Sequence, residues 1–579
     1  MKQKTSRSNK RTRESRNNSN VNMRSISNSR EVSRRNKGKS RYAYEEDYNR
    51  NNTRYYDDED YYQNNMKKKK SSKRMEKEAE KVAKKRRRRG RRKNLGSKIL
   101  GYLLAIIQFF LSAIFVVNVM FFNLLPMTYI LILGAVLLIL LGITLLTQIA
   151  AKGKGIGGKL FCIIMCAILA VGSFLVSKGY NAFEEIVGGN TKTSAIVVAV
   201  KADDPASTIV DTEGYVFGVQ YTTSESQMVT AINQIEEQLG SSIEKIEYSS
   251  TIDEVEALMN GEVDAIIYNS SQDSVIKETY ETFDDDVKVI FTSKVVVEIE
   301  NEAPAVDMSK PFTVYLSGID VYGDITQESR SDVNILAVVN PTSHQVLLIS
   351  TPRDYYVPIP GVSGGQRDKL THAGIYGVDA SMAALSELYD VEIPFYGRIN
   401  FTSMINIVDA LGGLDVYSDE SFTTSKDSEY IMTVNEGMNH FDGKETLAFC
   451  RERKNLADGD NARGRHQQAV ITAIIKKMMS PAMLRGAVDI LESVSDGIDT
   501  NFTMEQIQSL IKAQLRSGAD WYIYSVSAEG YGDKATCYSS GSTELYVTVP
   551  DTSSVAYITD LIDQVEAGEI IEGSTSTAE

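Results

Sequence analysis

Cysteine is scarce in this chain: four residues in 579, with no CxxC pair, supply neither a disulfide framework nor a zinc site. Histidine is equally sparse. His344, His372, His440 and His466 are spread without metal-ligand spacing, so each is read as structural. No Walker-type glycine loop and no Ser-His-Asp sequence context occurs, which leaves P-loop nucleotide chemistry and serine-hydrolase chemistry without support. A further shortage marks residues 1–97, where aliphatic side chains are nearly missing. Such a segment cannot bury enough apolar surface to offset its ordering entropy, so it reads as a disordered tail.

Charge is plentiful and unevenly placed. Residues 1–98 hold 34 Lys/Arg against 12 Asp/Glu, a balance of +22, while the remainder carries 29 basic and 64 acidic residues, or −35. Three apolar segments follow the basic head, at about Ile99–Phe122, Met127–Ile149 and Leu160–Ser177, each near the ~20 residues a membrane helix needs. The block KKRRRRGRRK (84–93) precedes the first, and Lys152, Lys154 and Lys159 separate the second from the third. The positive-inside rule then predicts a multi-pass plasma-membrane protein with a cytoplasmic N-terminus and an extracellular body after Lys178. In that topology the basic block is a topology signal and a clamp on anionic membrane lipids, and nucleic acid is not expected as a partner. The tyrosine- and acid-rich stretch 42–62 reads as a solubilising spacer, with docking to a cytoplasmic partner as the alternative.

The expected organisation is a basic cytoplasmic tail (1–97), three spans (98–178), a smaller α/β accessory domain (190–300), a linker (301–311), a large α/β domain with a mixed central sheet flanked by helices (312–550) and a C-terminal tail (551–579). In the accessory domain the strand-like SAIVVAV, YVFGVQ and VDAIIYN alternate with helical patterns such as Met228, Ile232, Ile235 and Leu239, which predicts a mostly parallel sheet. This segment resembles one lobe of periplasmic solute-binding proteins, though no ligand-contacting charge pair is evident in it.

The large domain carries the chemistry. Val333–Val339 and Gln345–Ser350 are apolar runs separated by Asn340-Pro341, which predicts two adjacent buried strands. Asp320, Arg330 and Asp332 precede the first, and Arg353 and Asp354 follow the second. A hairpin brings these five groups to one edge of the sheet, where carboxylates beside guanidiniums suit a metal bound to a phosphorylated ligand. A second constellation is CRERKNLADGDNARGRHQQ (450–468). Arg451 and Arg453 share one side if extended, and Asp460, Arg463 and Gln467 share one face at a helix start. Taken alone, this reads equally as a solvated turn before an ordinary amphipathic helix. Together the clusters place five guanidiniums, those of Arg330, Arg353, Arg451, Arg453 and Arg463, in one domain, and planar forks of this kind grip phosphate oxygens. Lys369 adds a point charge. Helices are expected at Val378–Tyr389, Thr402–Leu411 and Gly464–Met479, and further strands near 430–434 and 446–451. Cys450 reads as a strand residue facing the core, with a bond to Cys537 as the alternative.

The motifs SGID (317–320), RSDVNIL (330–336), STPRDYYVPIPG (350–361), KLTHA (369–373), DALGGLDV (409–416) and the 450–468 stretch resemble the LytR-CpsA-Psr family, in the family's order and across most of the domain. The resemblance implies a glycopolymer ligase of the Gram-positive envelope. Such enzymes move wall teichoic acid, capsule or another polysaccharide from a polyprenyl-pyrophosphate carrier to a peptidoglycan acceptor by phosphoryl transfer. By that likeness Asp320 and Asp332 bind Mg²⁺, with Mn²⁺ as a substitute. Arg330, Arg353, Arg451, Arg453 and Gln467 grip the pyrophosphate, Asp460 orients arginines, and Asp332 or Asp354 assists deprotonation of the attacking hydroxyl. The polyprenyl tail is expected in an apolar groove beneath the helices at 378–389 and 402–411. One departure stands out: His466 occupies a position where the family usually has arginine, and Arg465, one place earlier, would point about 100° away on a helix. The competing classes are a membrane-bound regulator, a receptor of envelope state, and a polyprenyl-pyrophosphate phosphatase.

Overall fold

The computed structural model describes residues 58–150, 154–187, 191–221, 224–298, 304–319, 321–323, 325–478 and 497–576. It opens with three helices, α1 (Asp58–Phe122), α2 (Met127–Ala150) and α3 (Ile156–Val187). Leu95–Phe122 of α1 and the whole of α2 and α3 are long and apolar enough to cross a membrane, and they leave most of that apolar surface facing outward. A helix apolar all round belongs either in the core of a large protein or in a membrane, and apolar surface left facing outward suggests the second. Between α1 and α2 a buried Thr144 hydroxyl donates to the Gln108 side-chain oxygen at 2.9 Å.

Residues 1–57 lie outside the described residues. From Asp58 onward, however, the segment expected to be disordered is helix, which corrects the reading for 58–97. That expectation weighed burial alone. Lys, Arg, Glu, Met and Ala are strong helix formers, Glu80 and Lys84 are spaced i,i+4, and the apolar half of the same helix supplies the costly nucleus.

The accessory domain is a five-stranded sheet in the order β3-β2-β4-β1-β5, with β1 Thr191–Lys201, β2 Val216–Val219, β3 Glu244–Glu247, β4 Ala265–Asn269 and β5 Val287–Glu298. Alternation along β1 feeds two cores: Ile196, Val198 and Val200 meet α4 (Glu225–Leu239), while Val197 and Ala199 meet α5 (Thr251–Asn260) and α6 (Asp273–Thr279). β2 runs parallel to β3 and β4, but β1 is antiparallel to both its neighbours, so the sheet is mixed where a mostly parallel one was expected.

The large domain has a seven-stranded sheet. Its order is Ile498–Thr500, β11 (Phe395–Ile399), β6 (Phe312–Ile319), β7 (Ser331–Asn340), β8 (Gln345–Ser350), Tyr522–Ser527 and Thr575–Ser576. β9 (Tyr356–Pro358) and β10 (Arg367–Lys369) pair apart from it, and two short helices, α7 (Phe283–Asp286) and α8 (Leu370–Ala373), lie before β5 and after β10. β6, β7 and β8 are successively antiparallel, whereas β6–β11 and β8 with Tyr522–Ser527 are parallel, so the sheet is mixed as expected. One face buries Tyr315, Leu336 and Leu347 against Leu385 of α9 (Val378–Tyr389) and Ile558, Leu561 and Ile562 of the helix Thr552–Ala567. That last helix contributes to the core, and Asn340 Nδ2 donates to its Val565 carbonyl at 2.7 Å. The domain therefore extends past 550, and the stretch expected to be a tail is part of it.

The other sheet face carries the site. Above it lie α10 (Phe401–Ala410), α11 (Gly443–Arg451) and α12 (Gly459–Met478). α11 replaces the strand expected at 446–451. Its start is a capping box, with Asp442 accepting from the Glu445 N–H at 2.9 Å and Glu445 accepting from the Asp442 N–H at 3.0 Å. The Asp-x-x-Glu signal outweighs the short apolar run that suggested a strand. Cys450 is accordingly a buried helix residue, and all four cysteines are free.

Candidate active site

The β7–β8 hairpin brings its charged ends together. Arg353 Nη1 lies 2.8 Å from Asp332 Oδ2, and Arg330 Nε lies 3.5 Å from Asp332 Oδ1, which also accepts from the Thr371 hydroxyl at 3.3 Å. Asp332 is thus a hub for two guanidiniums. Burial alone would raise its pKa, but Arg353, Arg330 and Arg463 together hold it below the ordinary carboxylate value. Arg353 in turn is held charged against burial by Asp332, Asp354 and Asp460. Asp354 sits behind it, with Oδ2 3.8 Å from Arg353 Nε and Oδ1 3.6 Å from Lys369 Nζ. Asp320 lies outside the described residues.

α12 supplies the second half. Gly464 lets the helix approach β8 closely: a Cβ there would stand 2.8 Å from Ser350 Oγ. Asp460, Arg463 and Gln467 then face the sheet edge as the spacing predicted, with Arg463 paired to Asp460. Arg463 is pushed below its ordinary pKa by burial, and by Arg353 and Arg453 nearby, although Asp460 opposes this. Guanidiniums gathered in this way, those of Arg353 and Arg463 each already held by a carboxylate, suit anionic oxygens. Arg451, at the end of α11, lies over the Phe401 ring at 4.3 Å and pairs with Glu429. Gln467 Nε2 donates to the Cys450 carbonyl at 3.3 Å, tying α12 to α11.

These groups head a cavity of about 890 Å³. Arg330, Asp332, Arg353, Arg451, Arg453, Arg463 and Gln467 line its polar end, and Leu316, Met404, Ile407, Ile471, Ile475 and Phe502 its apolar body. Phe183 and Ile186 of α3 also line it, so the last helix of the apolar anchor forms part of its wall. α10 borders the cavity as expected, but α9 packs on the opposite sheet face, which corrects half of the expected groove. Successive residues of β6 show why: Val314 and Leu316 face the cavity and Tyr315 the other core.

Position 466, the departure from the family pattern, points elsewhere. His466 is buried on the far side of α12, stacked on Phe449 at 4.0 Å and Phe422 at 5.2 Å, and burial lowers its pKa to about 4. Arg465 is directed to Asp419 and Asp458. Neither lines the cavity, so the substitution at 466 leaves the charged end unchanged.

Lys369 was expected at the pyrophosphate; it does not line the cavity and stands behind Asp354. Its Nζ is 2.7 Å from Glu278 of the accessory domain. Sequence reasoning missed Glu278, as it missed the buried pair of His372 Nδ1 and Asp368 Oδ1 at 2.7 Å. Ser539 lies 2.9 Å from the same Nδ1, but all three residues are buried in the core and the hydroxyl and carboxylate share one ring nitrogen, which is not a nucleophile-and-base arrangement.

A family model described as the LytR_cpsA_psr family matches residues 266–550. A Bacillus cereus relative named polyisoprenyl-teichoic acid–peptidoglycan teichoic acid transferase TagU is 34% identical over 239 residues, covering 41% of this chain and 74% of the relative. A protein of the same name from Enterococcus faecalis is 34% identical over 203 residues, 35% of this chain and 65% of that one. Among solved structures, Bacillus subtilis TagU shares 26% identity over 45% of this chain and 99% of its own, with a TM-score of 0.35.

Proposed function

The chain belongs to the LytR-CpsA-Psr family, and from that premise we propose that it transfers a glycopolymer from a polyprenyl-diphosphate carrier to peptidoglycan. The observation that carries this reading is the joining of five guanidiniums to one end of a long apolar cavity whose wall includes the anchor helix α3. Such a cavity suits a lipid tail with a diphosphate head, and the names of the relatives describe a polyisoprenyl-linked polymer and a peptidoglycan acceptor.

In the proposed reaction an acceptor hydroxyl oxygen forms a bond to the phosphorus that bears the glycan. The bridging P–O bond breaks, polyprenyl phosphate leaves, and the hydroxyl proton passes to the leaving phosphate or to water. Phosphoryl transfer needs positioning and charge neutralisation more than a strong base. Arg353, Arg330 and Arg463 would hold the equatorial oxygens, with Arg451 and Arg453 on the outer phosphate. Asp332, held ionised by its arginines, is a poor base and a good oxygen ligand. Its carboxylate fits Mg²⁺, which takes one or two carboxylates together with substrate phosphates. When bound, the ion would neutralise diphosphate charge. Asp354 orients Arg353 from behind, and Asp460 orients Arg463.

The full chain in lipid nanodiscs, supplied with a polyprenyl-diphosphate glycan, Mg²⁺ and peptidoglycan, should yield polymer covalently joined to peptidoglycan. Release of polyprenyl phosphate without joined polymer would make it a phosphatase. The orientation proposed from the basic residues predicts that protease added to intact cells cleaves within 190–576. Protection of that body would restore the regulator reading.

A further inference from the structure

The accessory domain reaches the charged end of the cavity at two points. The first is a rivet beside Arg330. The Thr193 N–H of β1 donates to the Thr326 carbonyl at 3.2 Å, and the buried Glu328 carboxylate accepts from Ser194 Oγ at 2.9 Å and Asn269 Nδ2 at 3.2 Å. These contacts hold the loop that ends two residues later at Arg330.

The second point is Glu278, in the last turn of α6. Its Oε2 lies 2.7 Å from Lys369 Nζ and 3.8 Å from His372 Nε2, while its Oε1 lies 3.6 Å from Arg330 Nη1. The seat it occupies is buried and hydrogen-bonded. His372 is fully buried with Nδ1 on Asp368, and Asp368 also accepts the Ser539 N–H at 2.8 Å. Beyond Lys369 the charges continue in alternation through Asp354 and Arg353 to Asp332. Three cations converge on a carboxylate that comes from a different domain than the cations themselves. Burial would raise the pKa of Glu278, yet His372 and Lys369 hold it well below the carboxylate range, so the group is charged whenever the protein is folded near neutrality.

We propose that Glu278 is a positioning residue for the transfer step: the accessory domain supplies the carboxylate that holds Arg330 directly, and Arg353 through Lys369 and Asp354, where charge develops on the headgroup. The inference rests on the phosphoryl-transfer reading above and adds to it the element that orients the guanidiniums. Arginines fixed before the substrate arrives stabilise the transition state without reorganising, and loss of that fixation costs rate. Glu278 also competes with the headgroup for Arg330. Removing its charge therefore lessens the competition for Arg330 in the ground state while loosening it for the transition state, which separates turnover from binding.

Wild type, Glu278→Gln and Glu278→Asp are compared as full chains in nanodiscs, measuring kcat and KM for the carrier, with Lys277→Ala as a surface control. The expected result is a kcat lowered roughly 10- to 100-fold in Glu278→Gln with KM equal or lower, partial recovery in Glu278→Asp, and no change in the control. Hydrogen exchange of carrier-free protein should be faster at 325–332 in Glu278→Gln. An unchanged kcat, or a raised KM with or without a lowered kcat, overturns the proposal. Should wild type transfer nothing, the phosphoryl-transfer reading falls separately, and unchanged exchange at 325–332 would show that Glu278 adds nothing to the hold of Glu328 on that loop and overturn the proposal.

Discussion

Two histidines in the large domain are driven in opposite directions by their surroundings. Burial works against the charge of His372, but Asp368 and Glu278 overcome it and push its pKa up from 6.5 to about 9. Folding therefore favours the imidazolium, a stabilisation of roughly 3 kcal/mol that is complete below pH ~6.5 and lost as pH rises through about 9. His466, between two phenylalanine rings, is lowered by burial to about 4, so its contribution is complete above pH ~6.5 and lost as pH falls through about 4. Urea midpoints measured from pH 4 to 10 should fall on both sides of a maximum near neutrality. A flat profile from pH 7 to 9.5 would show that His372 is not protonated in the fold. At the same scale, Arg353→Ala removes the cation closest to Asp332 and leaves that carboxylate with Arg330 at 3.5 Å and the weaker field of Arg463. Headgroup binding should weaken by about 2–5 kcal/mol. Titration with a short polyprenyl diphosphate measures this, and an unchanged affinity would place the headgroup elsewhere.

Elements rather than single contacts set the shape of the cavity. α10 and α11 meet where Gly443 packs on the Ile405 backbone, a contact closer than any Cβ could occupy. Gly443→Ala should spread the two helices, cost about 1–3 kcal/mol in urea unfolding and widen the wall that carries Arg451. Equal stability to wild type would mean that the helices slide at no cost. The hairpin and the helix carrying Asp460, Arg463 and Gln467 were legible in the sequence because each depends on local pattern: unbroken apolar runs divided by Asn340-Pro341 in β7 and β8, spacings of three and four in α12. α11 was misread because its apolar run is short enough for either state, and only its capping box decides. Glu278 left no signal at all. It is fifty or more residues from each of its partners, and pairing across domains has no period. Strand direction in the accessory sheet was hidden for the same reason: alternating strands and helices fix neighbours in sequence, not which strand lies beside β1.

The molecule as a whole joins its anchor to its catalytic body through polar contacts as well as through the chain. Gln508, on the helix Met504–Ser517, donates to the Phe122 carbonyl at 3.1 Å and accepts from Asn123 Nδ2 at 3.1 Å, while the Tyr129 hydroxyl donates to the Leu515 carbonyl at 3.1 Å. The clasp ties the helix that gives the cavity wall its Ile507 to the connection between α1 and α2. Gln508→Ala should slow transfer severalfold when the carrier is in a bilayer, and leave transfer from detergent-dispersed carrier unchanged. Equal loss in both settings would separate the clasp from carrier loading. The length of the anchor was readable from hydropathy. Its participation in the cavity was not, because an apolar residue facing outward and one facing an apolar cavity look alike in sequence.

That clasp has a spatial consequence. In the proposed orientation and with the proposed reaction, the reacting phosphates would stand at a set height above the bilayer, since the anchor cannot pay out like a tether. Only glycan strands lying against the membrane would come within reach. The anchor would then work as a gauge: a strand can receive polymer while it is the innermost layer, and passes out of range as newer strands displace it outward.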